Sequence, residues 1–320
     1  MDGQAERRAY SLSSSPSEDF LQFSVKRVEG GKVSNYLNDQ IEVGQRITTF
    51  KPEGKFIVLP EADKTKDHYF IAAGSGITPV LSMIKTLLED EERSTVYLLY
   101  GSRKEEDIIF KAELDRLASR YEGQLFISHT LSQVTEKRKF LGILGSKDNA
   151  AWKGLKGRID KDKLDYFLKD YPTRSGEAHY YLCGPGDLIQ MAEQFLSSQG
   201  VAEPMMHTEY FTPPADDGTS TQAESSGGSG EVSVTLDGET FTVQVDEKKT
   251  ILEAIIDTGK NPPYSCTSGA CASCMAKTVS GEVSMDSCLS LDDDEIENGF
   301  ILTCQAHPVG DGVSISYDDL

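Results

Sequence analysis

Four cysteines carry the most specific chemistry in the chain. Cys266, Cys271 and Cys274 lie within nine residues, Cys266-Thr267-Ser268-Gly269-Ala270-Cys271-Ala272-Ser273-Cys274, and Cys304 follows after a gap of 29. The pattern C-x4-C-x2-C with a distant fourth cysteine is the spacing of a [2Fe–2S] cluster. Such a cluster needs soft thiolates and a loop whose backbone comes close enough to offer N–H groups to sulfur. Ser265, Ser268, Gly269, Ala270 and Ser273 suit that loop, because bulky side chains would hold the backbone away. Four cysteines can also bind structural zinc, but zinc sites usually use paired C-x2-C knuckles, and here the fourth cysteine stands alone in Leu302-Thr303-Cys304-Gln305-Ala306. Cys183 and Cys288 fall outside the ligand spacing, and Cys288 reads as a spare thiol.

The second chemistry-bearing pattern is a pair of turns. His68-Tyr69-Phe70-Ile71-Ala72-Ala73 reads as a buried strand running into Gly74-Ser75-Gly76-Ile77-Thr78-Pro79 and an apolar-periodic helix. About a hundred residues later, strand Ala178–Leu182 meets Cys183-Gly184-Pro185-Gly186-Asp187 and another amphipathic helix. Between them lie a strand at 95–100, a helix at 107–120 and a strand at 124–129. Alternating strands and helices predict a parallel sheet with ligands at the carboxyl ends of its strands. Gly74-x-Gly76 alone is a weak signal, since the third glycine of the dinucleotide fingerprint is missing.

Residues 1–60 read as strands and turns, with strands at 8–12, 20–28, about 45–50 and 56–60. A short helix is predicted at 34–39, with Ser34 as its cap and an anion site at its free N–H groups. Residues 213–230 are rich in Gly, Ser, Pro and acidic residues and predict a flexible linker with an r.m.s. span of roughly 23 Å. Beyond it, alternating Val232, Val234 and Leu236 turn at Asp237-Gly238 into Phe241, Val243 and Val245, a hairpin. Thr250 is placed to cap a helix carrying Ile251, Leu252, Ile255 and Ile256.

Bulk properties narrow the partners. The 320 residues suffice for two or three domains, and the formal net charge of −20 disfavours nucleic acid and anionic membranes. Residues 231–320 hold 17 acidic and 4 basic residues, a net of −13, which suits docking on a basic partner as well as simple solubility. No apolar run approaches the ~20 residues of a membrane helix, so no membrane insertion is expected. The N-terminus shows no signal-peptide pattern, and reduced thiols point to the cytoplasm.

Taken in order, these segments resemble the ferredoxin–NADP reductase superfamily fused to a plant-type [2Fe–2S] ferredoxin, the arrangement of reductase components of multicomponent oxygenases. The resemblance implies a multidomain fold: a partial antiparallel β-barrel for flavin at 1–62, an α/β parallel-sheet nicotinamide domain at 63–212, a linker at 213–230 and an α+β β-grasp ferredoxin domain at 231–320. It implies that Arg8 meets the FAD pyrophosphate, Tyr10 packs on the isoalloxazine, and Ser11 lies near flavin N5. Gly31, Val33 and Ser34 would present a turn to the phosphates. Gly74, Ser75, Gly76, Ile77, Thr78 and Pro79 would receive the dinucleotide, while Thr78, Cys183, Gly184 and Pro185 approach the nicotinamide. Glu209 and Phe211 would lie over the flavin, making Ser11, Thr78, Cys183 and Glu209 the candidate catalytic residues. In the family pattern Cys266 and Cys271 share one iron, and Cys274 and Cys304 the other. Gly157-Arg158-Ile159-Asp160 also matches a recurrent family segment. The family barrel has six strands with Arg-x-Tyr-Ser on the fourth, whereas here that motif begins seven residues after Met1. Three strands are therefore expected upstream, with Asp2-Gly3 at the tip of the preceding hairpin.

The expected function follows from electron counting. A nicotinamide yields two electrons as hydride and a [2Fe–2S] cluster accepts one, so a flavin must stand between them. The expected acceptor is a terminal oxygenase, hydroxylase or desaturase on another chain. The other reading is an electron-carrier and binding module without its own flavin, loaded by a separate reductase. Ser102 and Arg103, at the end of the strand at 95–100, place a hydroxyl and a cation where an adenosine ribose should lie, which favours NADPH over NADH.

Overall fold

A computed structural model describes residues 6–49, 51–52, 54–134, 152–211, 228–264 and 266–319. They form two compact units, one of 1–10, 25–55 and 209–320, the other of 11–24 and 56–208. The hairpin tip at Asp2-Gly3, Ser265 and most of the expected linker lie outside the described residues.

The N-terminal stretch departs from the expected strands. Among the described residues before 67, the only ladder rung is an antiparallel bridge between Leu12 and Phe23, supported by the Ser13 amide donating to the Gln22 carbonyl at 2.7 Å. A segment becomes a strand only where a partner presents its own N–H and C=O groups, and the segments near 45–50 and 56–60 have none among the described residues. The helix forms as α1 (Lys32–Asp39), two residues earlier than predicted. Its N-cap is Gly31, and Ser34 sits in the first turn, where its Oγ accepts from the Val28 amide at 3.2 Å. Residues 11–24 are held to the second unit by Ser82 Oγ donating to the Ser14 carbonyl at 2.7 Å and by Lys85 pairing with Glu18 at 3.1 Å.

The second unit is built on β1 (Asp67–Ala73), α2 (Ile77–Asp90), β2 (Thr95–Ser102), α3 (Lys111–Arg120), β3 (Leu125–Leu131), β4 (Leu155–Lys156), α4 (Lys161–Asp170), β5 (Ala178–Gly184), α5 (Gly186–Ser198) and the first three residues of β6 (Met206–Tyr210). The sheet order is β4-β3-β2-β1-β5-β6, with parallel pairing of β1 to β2 and β5, β2 to β3, and β3 to β4. This is the expected parallel sheet. Helix α3 starts later than predicted, because Glu105–Asp107 form a 3-10 turn and Phe110 takes a left-handed φ of 60°. Tyr69 stacks on Tyr97 at 4.7 Å and on Tyr180 at 5.1 Å, and Tyr97 stacks on Phe126 at 5.5 Å. Each such pair adds about 0.5–1.5 kcal/mol beyond area burial. The segment at 157–160 now has a physical reading. The Gly157 carbonyl accepts from Thr130 Oγ1 at 2.7 Å, Ile159 packs on Gly101, and Asp160 caps α4 by accepting from the Lys163 amide at 2.9 Å.

The ferredoxin part of the first unit comprises β7 (Gly230–Leu236), β8 (Glu239–Val245), α6 (Ile251–Asp257), β9 (Met275–Met285), α7 (Asp293–Glu297), β10 (Phe300–Leu302) and β11 (Ala306–Ser316). The sheet runs β10-β9-β11-β7-β8, with β7 and β11 parallel and the other pairs antiparallel, which is the mixed sheet of a β-grasp. Asp237 and Gly238 turn the hairpin with φ of 55° and 76°, and their amides donate to the Asp318 carboxylate at 2.9 and 2.7 Å. Thr250 caps α6 as expected, in a reciprocal box with Glu253. Val232, Val234, Val243, Ile251, Ile255 and Ile315 fill the core between sheet and helix. Each fully buried aliphatic contributes about 1.5–3 kcal/mol.

A buried hydrogen bond ties the amino end of β1 to the end of α2. His68 Nε2 and Glu91 Oε2 are 2.9 Å apart, and the Glu61 amide donates to Glu91 at 2.8 Å. Burial alone would raise the Glu91 carboxyl, but hydrogen bonds from His68, Ser94 and the Glu61 amide outweigh it and bring the pKa down to about 2. A depressed carboxylate stabilises the fold fully above its unfolded pKa, and that contribution is lost as pH falls towards the folded value. Glu91→Ala should therefore cost about 3–5 kcal/mol at neutral pH. Urea unfolding between pH 6 and pH 2.5 should show a falling acid limb in the parent that is flattened in the variant.

Candidate functional site

The cluster loop runs between α6 and β9 and winds by left-handed residues. Thr267, Gly269 and Ala272 have φ of 57°, 75° and 51°. A methyl group on Gly269 would lie 2.8 Å from the Ser287 carbonyl, so the loop needs glycine there for space as well as for φ. This winding turns backbone N–H groups inward: Ser268 and Ala270 amides each lie 3.4 Å from Cys266 Sγ, and the Cys266 amide lies 3.4 Å from Cys271 Sγ. Cys274 and Cys304 are almost wholly buried, while Cys266 and Cys271 are half-buried at the surface.

The four thiols lie close enough to perturb one another in a chain, Cys271 to Cys266 to Cys304 to Cys274. Hydrogen bonding with Cys271, then with Cys304, holds the Cys266 thiol well below the usual range, and Cys304 does the same for Cys274. Cys271 and Cys304 are pushed up. Among the described residues, no three His, Cys, Asp or Glu side chains are grouped around a single ion. Four soft thiols with backbone amides directed at sulfur are a donor set that fits an iron–sulfur cluster.

Several residues that brace this loop escaped sequence reasoning. Ser290 Oγ accepts from the Ala272 amide at 2.9 Å and donates to the Gly269 carbonyl at 3.1 Å. Tyr317 Oη donates to Thr303 Oγ1 at 2.8 Å, and Thr303 Oγ1 donates to the Cys274 carbonyl at 3.0 Å. Gln305 Nε2 reaches the Thr267 and Cys304 carbonyls at 3.1 and 2.8 Å. Only Thr303 and Gln305, flanking Cys304, carried a sequence signal. Cys288 packs beside Cys274 in a cluster with Leu252, Leu291 and Leu302, and burial pushes its thiol up.

In the other unit, the two turns singled out above meet at the carboxyl ends of adjacent strands. A methyl group on Gly76 would lie 2.1 Å from the Cys183 carbonyl oxygen and 2.9 Å from the Gly184 nitrogen, so the first turn is seated directly on the second. Tyr100 Oη donates to the Gly74 carbonyl at 2.9 Å, and Thr78 Oγ1 donates to the Ser75 carbonyl at 2.9 Å. Helices α2 and α5 begin here, after Gly76 and Pro185, and no side chain caps either. Two uncapped helix starts side by side fit a pyrophosphate. Thr78, Ile77, Pro79 and Cys183 are buried, Gly74 and Ser75 partly so, and Pro185 is exposed. Ser102 Oγ is buried and meets no hydrogen-bond partner among the described residues, and Arg103 beside it is exposed.

The residues expected at a flavin fall in both units. Arg8, Tyr10, Gly31, Val33 and Ser34 belong to the first, as do Glu209 and Phe211, and Ser11 belongs to the second. Glu6 accepts from Lys32 Nζ at 2.6 Å and lies 3.7 Å from Arg8 Nη1. The Lys32 hydrogen bond holds its carboxyl below the usual range. Glu6 thus rests between two cationic side chains, Arg8 and Lys32, the latter at the first position of α1. Tyr10 is partly buried, and burial pushes its hydroxyl up. Glu209 and Phe211 are half-buried at the end of β6 and just beyond it.

Comparison with known proteins finds three domain families along the chain. Three family descriptions match: an oxidoreductase FAD-binding domain over residues 1–57, an oxidoreductase NAD-binding domain over 70–194, and a 2Fe-2S iron-sulfur cluster binding domain over 234–309. A component of the 1,2-phenylacetyl-CoA epoxidase of Escherichia coli K12 is 32% identical, covering 99% of this chain and 85% of that one. The ferredoxin reductase component of 3-ketosteroid-9-alpha-monooxygenase from Rhodococcus rhodochrous is 34% identical over 97% of this chain and 82% of its own. The solved structure of phthalate dioxygenase reductase shares the fold, with a TM-score of 0.55 at 24% identity over 97% of this chain and 84% of that one. No helix among the described residues is long and apolar enough to cross a membrane. With identities above 30% along nearly its whole length, the chain belongs to the family of NAD(P)H-dependent oxidoreductases that join FAD-binding, NAD-binding and [2Fe–2S] ferredoxin domains as reductase components.

Proposed function

We propose that this chain takes hydride from NADPH, passes the electrons singly to its own cluster, and delivers them to a terminal oxygenase, hydroxylase or desaturase on a separate chain. The observation that carries the reading is the cluster loop, where backbone amides already point at the thiols. The modules are 1–62 for flavin, 63–212 for nicotinamide and 231–320 for ferredoxin, joined by 213–230. The relatives' names as reductase components of monooxygenases support the oxygenase partner. Cytoplasmic placement is supported by six cysteines that are all unbridged.

When bound, the flavin supplies the conversion of a hydride pair into single electrons. The chain's own residues bind and orient. Gly74, Ser75, Gly76, Ile77 and Pro79, with the starts of α2 and α5, hold the dinucleotide phosphates. Thr78, Cys183, Gly184 and Pro185 border the nicotinamide. Arg8, Gly31, Val33 and Ser34 hold the flavin phosphates, while Tyr10, Ser11, Glu209 and Phe211 position its ring. Cys266, Cys271, Cys274 and Cys304 hold the cluster, with Ser290, Thr303 and Gln305 fixing the loop.

Two measurements test these roles. Cys304→Ser should bleach the cluster's visible absorption and end one-electron transfer while sparing flavin reduction, and Cys288→Ser should leave the cluster intact. Loss of the cluster in Cys288→Ser or Cys183→Ser instead would refute the ligand set. For the nucleotide, the buried Ser102 hydroxyl and the Arg103 guanidinium suit a 2′-phosphate. Losing a charge-assisted hydrogen bond costs about 1.5–3 kcal/mol, so Arg103→Ala should raise the KM for NADPH by about tenfold or more and leave that for NADH nearly unchanged. Equal effects on both would overturn the preference.

A further inference from the structure

One arginine outside every role above joins the flavin segment to the loop ahead of the cluster. Arg7 Nη1 donates to the Pro262 carbonyl at 2.7 Å, its Nη2 donates to Asn261 Oδ1, and its guanidinium lies 5.1 Å from the centre of the Tyr264 ring. All four residues belong to the first unit. Tyr264 stands two residues before Cys266, and Arg7 stands directly before Arg8 and three residues before Tyr10. The receiving surface is stiff: Pro262 and Pro263 fix φ and lack N–H groups, so carbonyl and ring are presented at little entropic cost. An ion pair of Lys55 with Glu295 on α7 joins the same two modules elsewhere.

We propose that Arg7 is a strap that docks the ferredoxin module on the flavin segment and sets the route by which electrons reach Cys266. This rests on the function proposed above, because it concerns the transfer from reduced flavin to cluster. Each transfer moves one electron from flavin to iron, with NADPH supplying the pair. Arg7 touches neither cofactor, so it is a positioning residue. Its guanidinium combines a backbone acceptor, a side-chain acceptor and an aromatic face, and lysine cannot make all three contacts at once. A tether holds the modules near one another in any case, so the strap selects one docked arrangement from the many that a tether permits.

The test compares the full chain with Arg7→Ala, Arg7→Lys and Asn261→Ala, loaded with flavin and cluster. Deuterium uptake in peptides covering 6–12 and 258–264 reports docking independently of activity. Anaerobic rapid mixing with NADPH separates flavin reduction from cluster reduction. Arg7→Ala should raise uptake in both peptides and slow cluster reduction about tenfold, the equivalent of about 1.4 kcal/mol of docking. Flavin reduction and the cluster's visible spectrum should be unchanged. Arg7→Lys and Asn261→Ala should fall between. Unchanged uptake in Arg7→Ala overturns the strap, and raised uptake with an unchanged cluster-reduction rate overturns it as the electron route. A parent whose cluster NADPH does not reduce would instead refute the proposed function, and uptake would still decide the docking.

Discussion

Thiolates repel one another, and four of them can be gathered only if the surrounding backbone supplies compensating positive potential. That constraint organises the ferredoxin part of the chain. Thr267, Gly269 and Ala272 adopt left-handed conformations so that the Cys266, Ser268 and Ala270 amides face sulfur. Left-handed non-glycine residues are strained, and the strain persists only where the surroundings over-determine it. Here Ser290 ties Ala272 to Gly269, Gln305 ties Thr267 to Cys304, and Thr303 ties Cys274 to Tyr317 on the far side. The β-grasp sheet and α6 form the rigid frame from which these braces reach the loop.

The nicotinamide part meets the opposite charge problem with the same means. A dinucleotide brings anionic phosphates, and the fold answers with two uncapped helix starts on neighbouring parallel strands. The contact between Gly76 and the Cys183 carbonyl brings them side by side, since any Cβ at position 76 would force the turns apart. In both places the backbone provides the electrostatics and the side chains set the spacing.

What could be read from the sequence divides along the same line. The cluster cysteines, the Asp237-Gly238 turn and the Thr250 cap were legible because each depends on residues close in sequence. The parallel sheet was legible because strand and helix periods alternate cleanly. The braces at Ser290 and Tyr317 were not, because the fold brings them to the loop from distant positions. Ser34 looked like a cap by residue type, yet Gly31 takes that place and Ser34 turns back to the Val28 amide. Among the described residues, the expected N-terminal strands met only the Leu12–Phe23 bridge, because alternation marks a segment able to pair and says nothing about whether a partner lies beside it.

The central claim is that one chain carries electrons from NADPH to its own cluster. Anaerobic titration of the flavin- and iron-loaded chain with NADPH, followed by electron paramagnetic resonance of the reduced cluster, tests it most directly. The account predicts that NADPH alone develops the full signal that dithionite develops, at two electrons per NADPH. A cluster that dithionite reduces and NADPH leaves oxidised would contradict it.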